Sequence, residues 1–277
     1  MRLLVTGAAG MLGQDLITFL APRHEVTGCD REVDVTDPAA IGALIDGLRP
    51  EGIIHCAAWT DVDGAEANES AALALNARGS ENVAHAAARH GAALVAVSTD
   101  YVFDGTSVVP YPEDAPTSPL GAYGRTKLAG ERAALAAHPA GTRIVRTAWL
   151  YGTHGRNFVD TMRRLAATRD EVQVVADQIG SPTWTKDLAP AIEAAFTQPP
   201  GIYHATGSGS VSWSEFAEAI FAEAGLSCRV VPITTATFGR PAPRPARSAL
   251  AVTFPNFPRL RPWRDALRDY LRENPNP

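Results

Sequence analysis

Two side chains suited to proton transfer stand four residues apart in this sequence, at Tyr123 and Lys127. On a helix this spacing places both on one face, one turn apart, so that an ammonium group lies beside a phenol. A tyrosine with its ordinary pKa of about 10 is a poor acid near neutral pH, and a neighbouring cation would lower that pKa. Thr99, at the end of an apolar run, can offer a second hydroxyl to the same substrate oxygen. The pattern predicts acid catalysis by Tyr123, Lys127 and Thr99.

The amino terminus favours this interpretation over an ordinary solvated helix, on which tyrosine and lysine also occur at this spacing. A short apolar strand over residues 2–6 leads into a Gly-x-x-Gly-x-x-Gly turn, and a helical pattern follows. Glycines permit a tight turn and let the backbone approach a pyrophosphate at the amino terminus of the helix. The turn therefore predicts dinucleotide binding at Gly7, Gly10 and Gly13.

The next strand, residues 25–29, ends in Asp30, which lies 17 residues beyond Gly13. A carboxylate there can accept hydrogen bonds from the adenosine ribose, and its charge would repel a 2′-phosphate. This predicts NADH as the cofactor, while the adjacent Arg31 leaves NADPH possible. Asp34 and Val35 suit an adenine, one reaching its amino group and the other packing on its ring; a capped turn is the alternative. No choice between the two follows from the residues.

Strand and helix patterns alternate along the first half of the chain. Residues 38–48 and 66–90 read as helices, and residues 50–58 and 92–97 read as buried strands. The strand over 50–58 ends near Ala57, Ala58, Trp59 and Thr60, where small residues would let a cofactor approach the sheet edge. We expect an α/β fold: a Rossmann-type doubly wound parallel sheet over residues 1–150. Residues 151–277 are expected to form a smaller, interleaved substrate-binding lobe that partly returns to the sheet, with a loop over 230–258.

Bulk properties narrow the class of protein. The 277 residues carry a net charge of −5 with a pI near 5.8, so no basic field is present to hold nucleic acid. No apolar run reaches the roughly 18 residues that a membrane span needs, and no signal-peptide pattern precedes the first strand. The expected location is the cytoplasm. The seven histidines show no metal-ligand spacing, and no protein metal site is predicted.

The sequence resembles the dTDP-4-dehydrorhamnose reductase family of the extended short-chain dehydrogenase/reductase superfamily. The resemblance is carried by the glycine turn and by residues 58–66, 98–105, 118–127, 146–152 and 177–183. It implies reduction of the 4-keto group of dTDP-4-dehydro-L-rhamnose to dTDP-L-rhamnose. It also implies catalytic roles for Tyr123, Lys127 and Thr99. The cofactor contacts that it implies are Gly10, Met11, Leu12, Asp30, Asp34, Val35, Ala58, Trp59, Thr60, Tyr123 and Lys127.

The resemblance further implies that Thr99, Asp100 and Trp149 contact the sugar nucleotide. Arg244 and Arg247 are either solvated charges or a clamp for the substrate diphosphate, and the family favours the clamp. One departure from the family is Ala251, which stands where an acidic residue is usual. Related reductases can carry magnesium at a homodimer contact, and Asp15 is a possible remnant of such a site.

Two other functions remain open at this point. Proteins resembling these reductases also serve as non-catalytic nucleotide-binding regulatory subunits, and reductases of other dTDP-4-keto-deoxysugars would look similar. Dehydratases of the superfamily are disfavoured by Tyr101, because they carry a glutamate after the strand-end Thr-Asp pair. Eliminating water beside a ketone needs that carboxylate to remove a carbon-bound proton, whereas ketone reduction does not.

Overall fold

The computed structural model describes residues 1–275 and alternates strands with helices from the amino terminus onward. The strands are β1 (Arg2–Thr6), β2 (Glu25–Cys29), β3 (Gly52–His55), β4 (Ala93–Thr99), β5 (Thr142–Thr147), β6 (Leu150–Tyr151), β7 (Glu171–Val175), β8 (Ile179–Gly180), β9 (Thr183–Trp184), β10 (Gly201–His204), β11 (Val211–Ser212) and β12 (Arg229–Ile233).

Helices connect most of these strands. They are α1 (Met11–Leu20), α2 (Pro38–Leu48), α3 (Val62–Ala67), α4 (Glu69–Leu73), α5 (Gly79–His90), α6 (Ala122–Ala137), α7 (Phe158–Ala166), α8 (Thr185–Ala195), α9 (Trp213–Ala224), α10 (Thr235–Phe238) and α11 (Trp263–Glu273), with a π turn at Ala74–Arg78 and a 3₁₀ turn at Asp100–Val102. No helix among the described residues has both the length and the apolar character required to cross a membrane.

Six parallel strands form the main sheet in the order β10-β5-β4-β3-β1-β2. From β1 the chain moves outward to β2 and then crosses back to β3 on the other side of β1. Parallel sheets bind ligands where the strand order reverses in this way, outside the carboxyl ends of the strands. The doubly wound Rossmann-type sheet predicted from the sequence is thus confirmed, and its switch point lies between β1 and β3.

Both faces of the sheet are covered by helices because alternate strand residues point to opposite sides. Leu3 and Val5 of β1 pack with α1 and α8, whereas Leu4 packs with α2 and α5. These apolar layers fix the strand ends, and so fix the side chains that follow each strand.

A third apolar cluster lies outside the main sheet. It joins α7, α9 and α11 with β7 and β12, which pair in parallel. From within residues 151–275, β10 returns to the main sheet beside β5, and α8 packs under it against α1. The division of the chain near residue 150 stays a prediction.

Two local expectations are wrong. The helix expected over residues 66–90 is interrupted near Asn68 and again by the π turn at Ala74–Arg78, so that α3, α4 and α5 are separate. The loop expected over 230–258 begins with β12 and α10, because Val230 and Ile233 pair with β7 in register. Strand pairing supplied by a distant segment overrides the loop-like composition here.

Candidate active site

The glycine turn between β1 and α1 is sterically closed to larger residues. Gly7 has φ +69°, and a Cβ there would lie 2.6 Å from the backbone nitrogen of Ala57. A Cβ at Gly13 would lie 2.3 Å from the carbonyl oxygen of Gly7. Helix α1 begins after Gly10, and no side chain caps it. Its first N–H groups and its dipole are therefore available to an anion at the sheet edge.

A cavity of about 1080 Å³ opens at the carboxyl ends of β1, β3, β4 and β5. It lies beside the switch point, where a doubly wound sheet is expected to bind a dinucleotide. Most of the predicted site residues line it: Gly7, Gly10, Met11, Leu12, Gly13, Asp30, Asp34, Val35, Ala57, Ala58, Thr60, Thr99, Asp100, Tyr123, Lys127 and Trp149.

The three predicted catalytic residues meet in this cavity. Tyr123 and Lys127 lie one turn apart in α6, and the Lys127 ammonium donates to the carbonyl of Val97 at 2.7 Å. Thr99 ends β4, and its hydroxyl donates to Asp100 Oδ1 at 3.1 Å. The ring of Tyr101 packs edge-on against Tyr123, with centroids 5.6 Å apart. The arrangement brings a phenol, an ammonium and a hydroxyl to one side of the cavity.

Burial controls the proton chemistry of these groups. It raises the pKa of Tyr123 to about 12, with the Thr99 hydroxyl acting in the opposite direction. It also lowers the pKa of Lys127 to about 8, against the opposing field of Glu131. The pKa of Tyr123 is therefore raised overall and not lowered as expected, because desolvation of the phenolate dominates. A phenol with this pKa keeps its proton at neutral pH, which is the form needed to donate to a carbonyl oxygen.

Asp100 is the most perturbed carboxyl group in the cavity. Burial raises its pKa to about 7, while the nearby hydroxyls of Ser248 and Thr99 act against that rise. Its Oδ2 has no hydrogen-bond partner within residues 1–275. Because a buried polar atom without a partner is unfavourable, this oxygen is suited to a polar ligand group.

The residues after β2 form one end of the cavity. Asp30 accepts from the N–H of Ala9 at 3.0 Å and from the N–H of Arg31 at 2.9 Å, which fixes its carboxylate beside the glycine turn. Asp34 accepts two bonds from Thr36, both through Oδ1 at 2.8 Å. The capped turn that was the alternative for Asp34 therefore exists, and Asp34 and buried Val35 also line the cavity.

Two stacked indoles, those of Trp149 and Trp213, also line the cavity. The rings of Trp149 and Trp213 lie parallel, with centroids 3.5 Å apart and an interplanar angle of 6°. Trp149 has φ +48°, in the left-handed region of backbone conformations. This conformation is unfavourable for a bulky residue and is found often at ligand sites. Trp213 was not among the predicted site residues. The capping box formed by Ser212 and Glu215 is a local signal that places Trp213 at the start of α9. The pair offers a flat apolar surface to a sugar or a base.

Trp59 does not line the cavity, unlike its three neighbours after β3. Its N–H donates to Asn76 Oδ1 at 2.7 Å, and its indole donates to the carbonyl of Asp61 at 2.9 Å. Asn76 also donates to Thr126 at 3.0 Å, so it ties the end of β3 to α6. Asn76 lies in the π turn, and the sequence carried no signal for that turn.

The two arginines expected to clamp a diphosphate also lie outside the cavity lining. Arg244 donates through two nitrogens to the two carboxylate oxygens of Asp63, at 3.0 Å each, and Arg247 is exposed. Arg156, which the sequence analysis did not identify, does line the cavity beside the indoles. It is exposed and has no carboxylate partner within the described part of the chain.

Asp15, the possible remnant of a magnesium site, accepts a hydrogen bond from Thr185 and lies 3.7 Å from His154. Residues 1–275 contain no group of three or more His, Cys, Asp or Glu side chains that could hold a metal ion. The expectation of no protein metal site and the possible magnesium at a homodimer contact both stay predictions.

Comparison with known proteins identifies the family of the chain. A family model described as the RmlD substrate binding domain matches residues 1–275. A probable dTDP-4,6-dihydroxy-2-methyloxan-3-one 4-ketoreductase of Streptomyces antibioticus is 48% identical, over 97% of this chain and 94% of that protein. A dTDP-4-dehydrorhamnose reductase of Mycobacterium tuberculosis is 46% identical, over 98% of this chain and 92% of that protein.

Solved structures agree with the sequence comparison. The crystal structure of dTDP-4-dehydrorhamnose reductase from Bacillus anthracis, in complex with NADP, superposes with a TM-score of 0.96 at 40% identity and covers 99% of both chains. A family model over almost the whole chain and relatives above 40% identity over their full length lead to one conclusion. The chain belongs to the dTDP-4-dehydrorhamnose reductase family.

Proposed function

We propose that this protein reduces the 4-keto group of dTDP-4-dehydro-L-rhamnose to give dTDP-L-rhamnose. The observation that carries the proposal is the set of half-buried Tyr123 with buried Lys127 and Thr99 at the edge of a dinucleotide-type cavity. A binding module has no need of a phenol and an ammonium that are withdrawn from water, because their desolvation costs free energy. The reductase family to which the chain belongs supports the same reaction.

The cavity fits a nicotinamide dinucleotide. The glycine turn leaves no room for a Cβ at Gly7 or Gly13, and the uncapped start of α1 favours a pyrophosphate. Asp30 stands where an adenosine ribose would present its hydroxyls. When bound, the reduced nicotinamide supplies the hydride for the ketone carbon.

The protein's own groups then handle the oxygen and its proton. Tyr123 donates a proton to the carbonyl oxygen, and Thr99 orients that oxygen with its hydroxyl. Lys127 carries a positive charge one turn from the phenol and stabilises the tyrosinate that remains. These roles need Tyr123 protonated and Lys127 charged, and a pKa of about 12 for Tyr123 and of about 8 for Lys127 is consistent with both conditions at pH 7.

We further propose that the sugar nucleotide contacts Asp100 and packs on Trp149 and Trp213. Arg156 faces its diphosphate, since a guanidinium pairs well with phosphate oxygens. Arg247 is free to join a clamp, whereas Arg244 would first have to leave Asp63. We also propose that the protein forms a homodimer, as related reductases with magnesium at a dimer contact do.

The decisive experiment follows the hydride. Incubation with dTDP-4-dehydro-L-rhamnose and deuterated NADH or NADPH should place one deuterium at the fourth sugar carbon, with one oxidised cofactor formed per product. Dehydration of dTDP-glucose should not occur, because Tyr101 stands where a dehydratase needs a carboxylate. Steady dehydration without net cofactor use would refute the reductase assignment.

The same assay distinguishes the other two possibilities. A panel of dTDP-linked 4-keto sugars tests whether a different deoxysugar is the preferred substrate. Tight cofactor binding without turnover on any member of the panel would indicate a regulatory subunit.

Cofactor preference gives a second prediction. The wild-type protein should prefer NADH, because the Asp30 carboxylate, held by Ala9 and Arg31, repels a 2′-phosphate. Asp30→Ala should lower the ratio of kcat/KM for NADH to that for NADPH by about tenfold, and Arg31→Ala should raise it. Steady-state kinetics with both cofactors measure the ratio. A strong NADPH preference in the wild type would place Asp30 away from the ribose.

A further inference from the structure

A buried ion pair lies behind the catalytic residues. The side chains of Glu131 in α6 and Arg146 in β5 are 3% and 2% exposed. Arg146 donates through Nε to Glu131 Oε1 at 2.9 Å and through Nη2 to Oε2 at 2.7 Å. The hydroxyl of Ser98 in β4 donates to the same Oε1 at 2.5 Å. One carboxylate thus joins a helix to two neighbouring strands.

Each partner in this cluster is next to a residue of the cavity. Glu131 follows Lys127 by one helical turn, as Lys127 follows Tyr123. Ser98 directly precedes Thr99, and it is paired in register with Arg146. The three hydrogen bonds of Glu131 therefore set how far α6 can slide or turn against the end of β4.

Net stability is a poor explanation for such a pair. Desolvating two charges offsets most of their attraction, and an apolar pair of similar volume often serves a fold equally well. The ion pair instead contributes a defined geometry. Two parallel hydrogen bonds from Arg146 and a third from Ser98 restrict the orientation of the Glu131 carboxylate.

The charge of Glu131 also acts on Lys127. The titratable groups around this ammonium are Tyr123 and Glu131 from its own helix and His55 and Cys56 from the end of β3, with Arg146 behind Glu131. Burial lowers the pKa of His55 to about 3 and raises that of Cys56 to about 12, so both are neutral at pH 7. The carboxylate of Glu131 is then the group that opposes the loss of charge on Lys127.

We propose that Glu131 is a positioning residue for proton transfer: through Ser98 and Arg146 it holds α6 against β4 and β5, and so sets Tyr123 and Lys127 against Thr99. The role in turnover rests on the reductase function proposed above. The geometric cluster and its effect on the charge of Lys127 do not depend on it.

Nuclear magnetic resonance can read the charge of Lys127 without substrate or cofactor. The sequence contains two lysines, Lys127 and Lys186, so lysine labelled with ¹³C at Cε gives two signals to titrate. In Glu131→Gln, the Lys127 titration should move to lower pH by about 0.5 pH unit or more, because the opposing carboxylate is gone. Exposed Lys186, paired with Glu273, serves as the internal reference. An unmoved Lys127 titration overturns the proposal.

Kinetics test the geometric part. Glu131→Gln should lower kcat about tenfold or more with a smaller change in KM, and the alkaline fall of kcat should begin at lower pH. In the double variant Glu131→Gln with Arg146→Met, removing the unpaired buried cation should restore thermal stability. If Glu131 is a positioning residue, kcat of the double variant stays low, and its alkaline fall still begins at lower pH than in the wild type. Recovery of wild-type kcat and pH dependence in the double variant would show a purely structural role.

Asp187→Asn is the matched control, since it breaks another ion pair, with Arg261, away from the cavity. It should cost stability without moving the Lys127 titration or the pH dependence of kcat. Wild-type protein without reductase turnover would reject the proposed function alone, because the titration still tests Glu131. Reductase turnover in the wild type, together with unchanged kcat and unchanged Lys127 titration in Glu131→Gln, would reject the positioning role alone.

Discussion

Replacing Tyr123 with phenylalanine should lower kcat by a factor of about 10² or more and leave cofactor affinity nearly unchanged. The ring stays packed against the small cluster of Ala65, Ala72 and Ala122, so the change removes only the hydroxyl. With a pKa raised to about 12, that hydroxyl carries its proton at neutral pH and is placed to protonate the ketone oxygen. Loss of cofactor absorbance measures turnover, and cofactor fluorescence measures binding.

Tyr111→Phe is the control for this substitution. Tyr111 is also buried, and its hydroxyl donates to Asp104 at 2.7 Å outside the cavity lining. Its loss should cost stability and spare kcat. Near wild-type turnover in Tyr123→Phe would remove Tyr123 from the mechanism.

Replacing Lys127 with methionine should impair turnover and yet stabilise the cofactor-free protein. We expect kcat/KM to fall by about 10² to 10³, since the cation that stabilises the tyrosinate is lost. Methionine has a similar length and no charge to desolvate. The pKa of Lys127 is lowered from 10.5 to about 8, which corresponds to a cost of about 3 kcal/mol for the charged form.

The pH dependence of this gain has a defined sign. Between pH 8 and 10.5 the unfolded chain holds a proton on Lys127 that the folded chain has released, so wild-type stability rises with pH there. The advantage of Lys127→Met is therefore full below pH 8 and disappears toward pH 10.5. Below pH 8 it should lie between about 1 and 3 kcal/mol, because the carbonyl of Val97 loses its hydrogen bond.

Denaturant unfolding of both proteins across this pH range measures the difference. Lys186→Met, at an exposed position, should show neither effect. A Lys127→Met variant that is less stable than the wild type, or one with unimpaired turnover, would contradict the assignment of Lys127 as a desolvated catalytic lysine.

Features that depend on neighbouring residues could be predicted from the sequence. Gly7 and Gly13 predicted the turn because their spacing within a strand-turn-helix unit is local. Tyr123 and Lys127 share a face because a helix repeats every 3.6 residues. Asp30 and Thr99 were placed at one sheet edge because each stands at the end of a predicted strand, and parallel strands end on the same side. The doubly wound fold followed from the same alternation.

The partners that these groups meet could not be predicted in this way, because they come from distant parts of the chain. Arg244 meets Asp63, a partner far away in the chain, and is withdrawn from the cavity. Trp213 reaches Trp149 because both indoles pack against the apolar cluster outside the main sheet, a contact that no local pattern encodes. The pKa of Tyr123 rises because burial outweighs the opposing effect of the Thr99 hydroxyl, and desolvation is a sum over all the segments that surround a group. Spacing places a side chain on an element, but its partners and its exposure to water are set by how the elements pack.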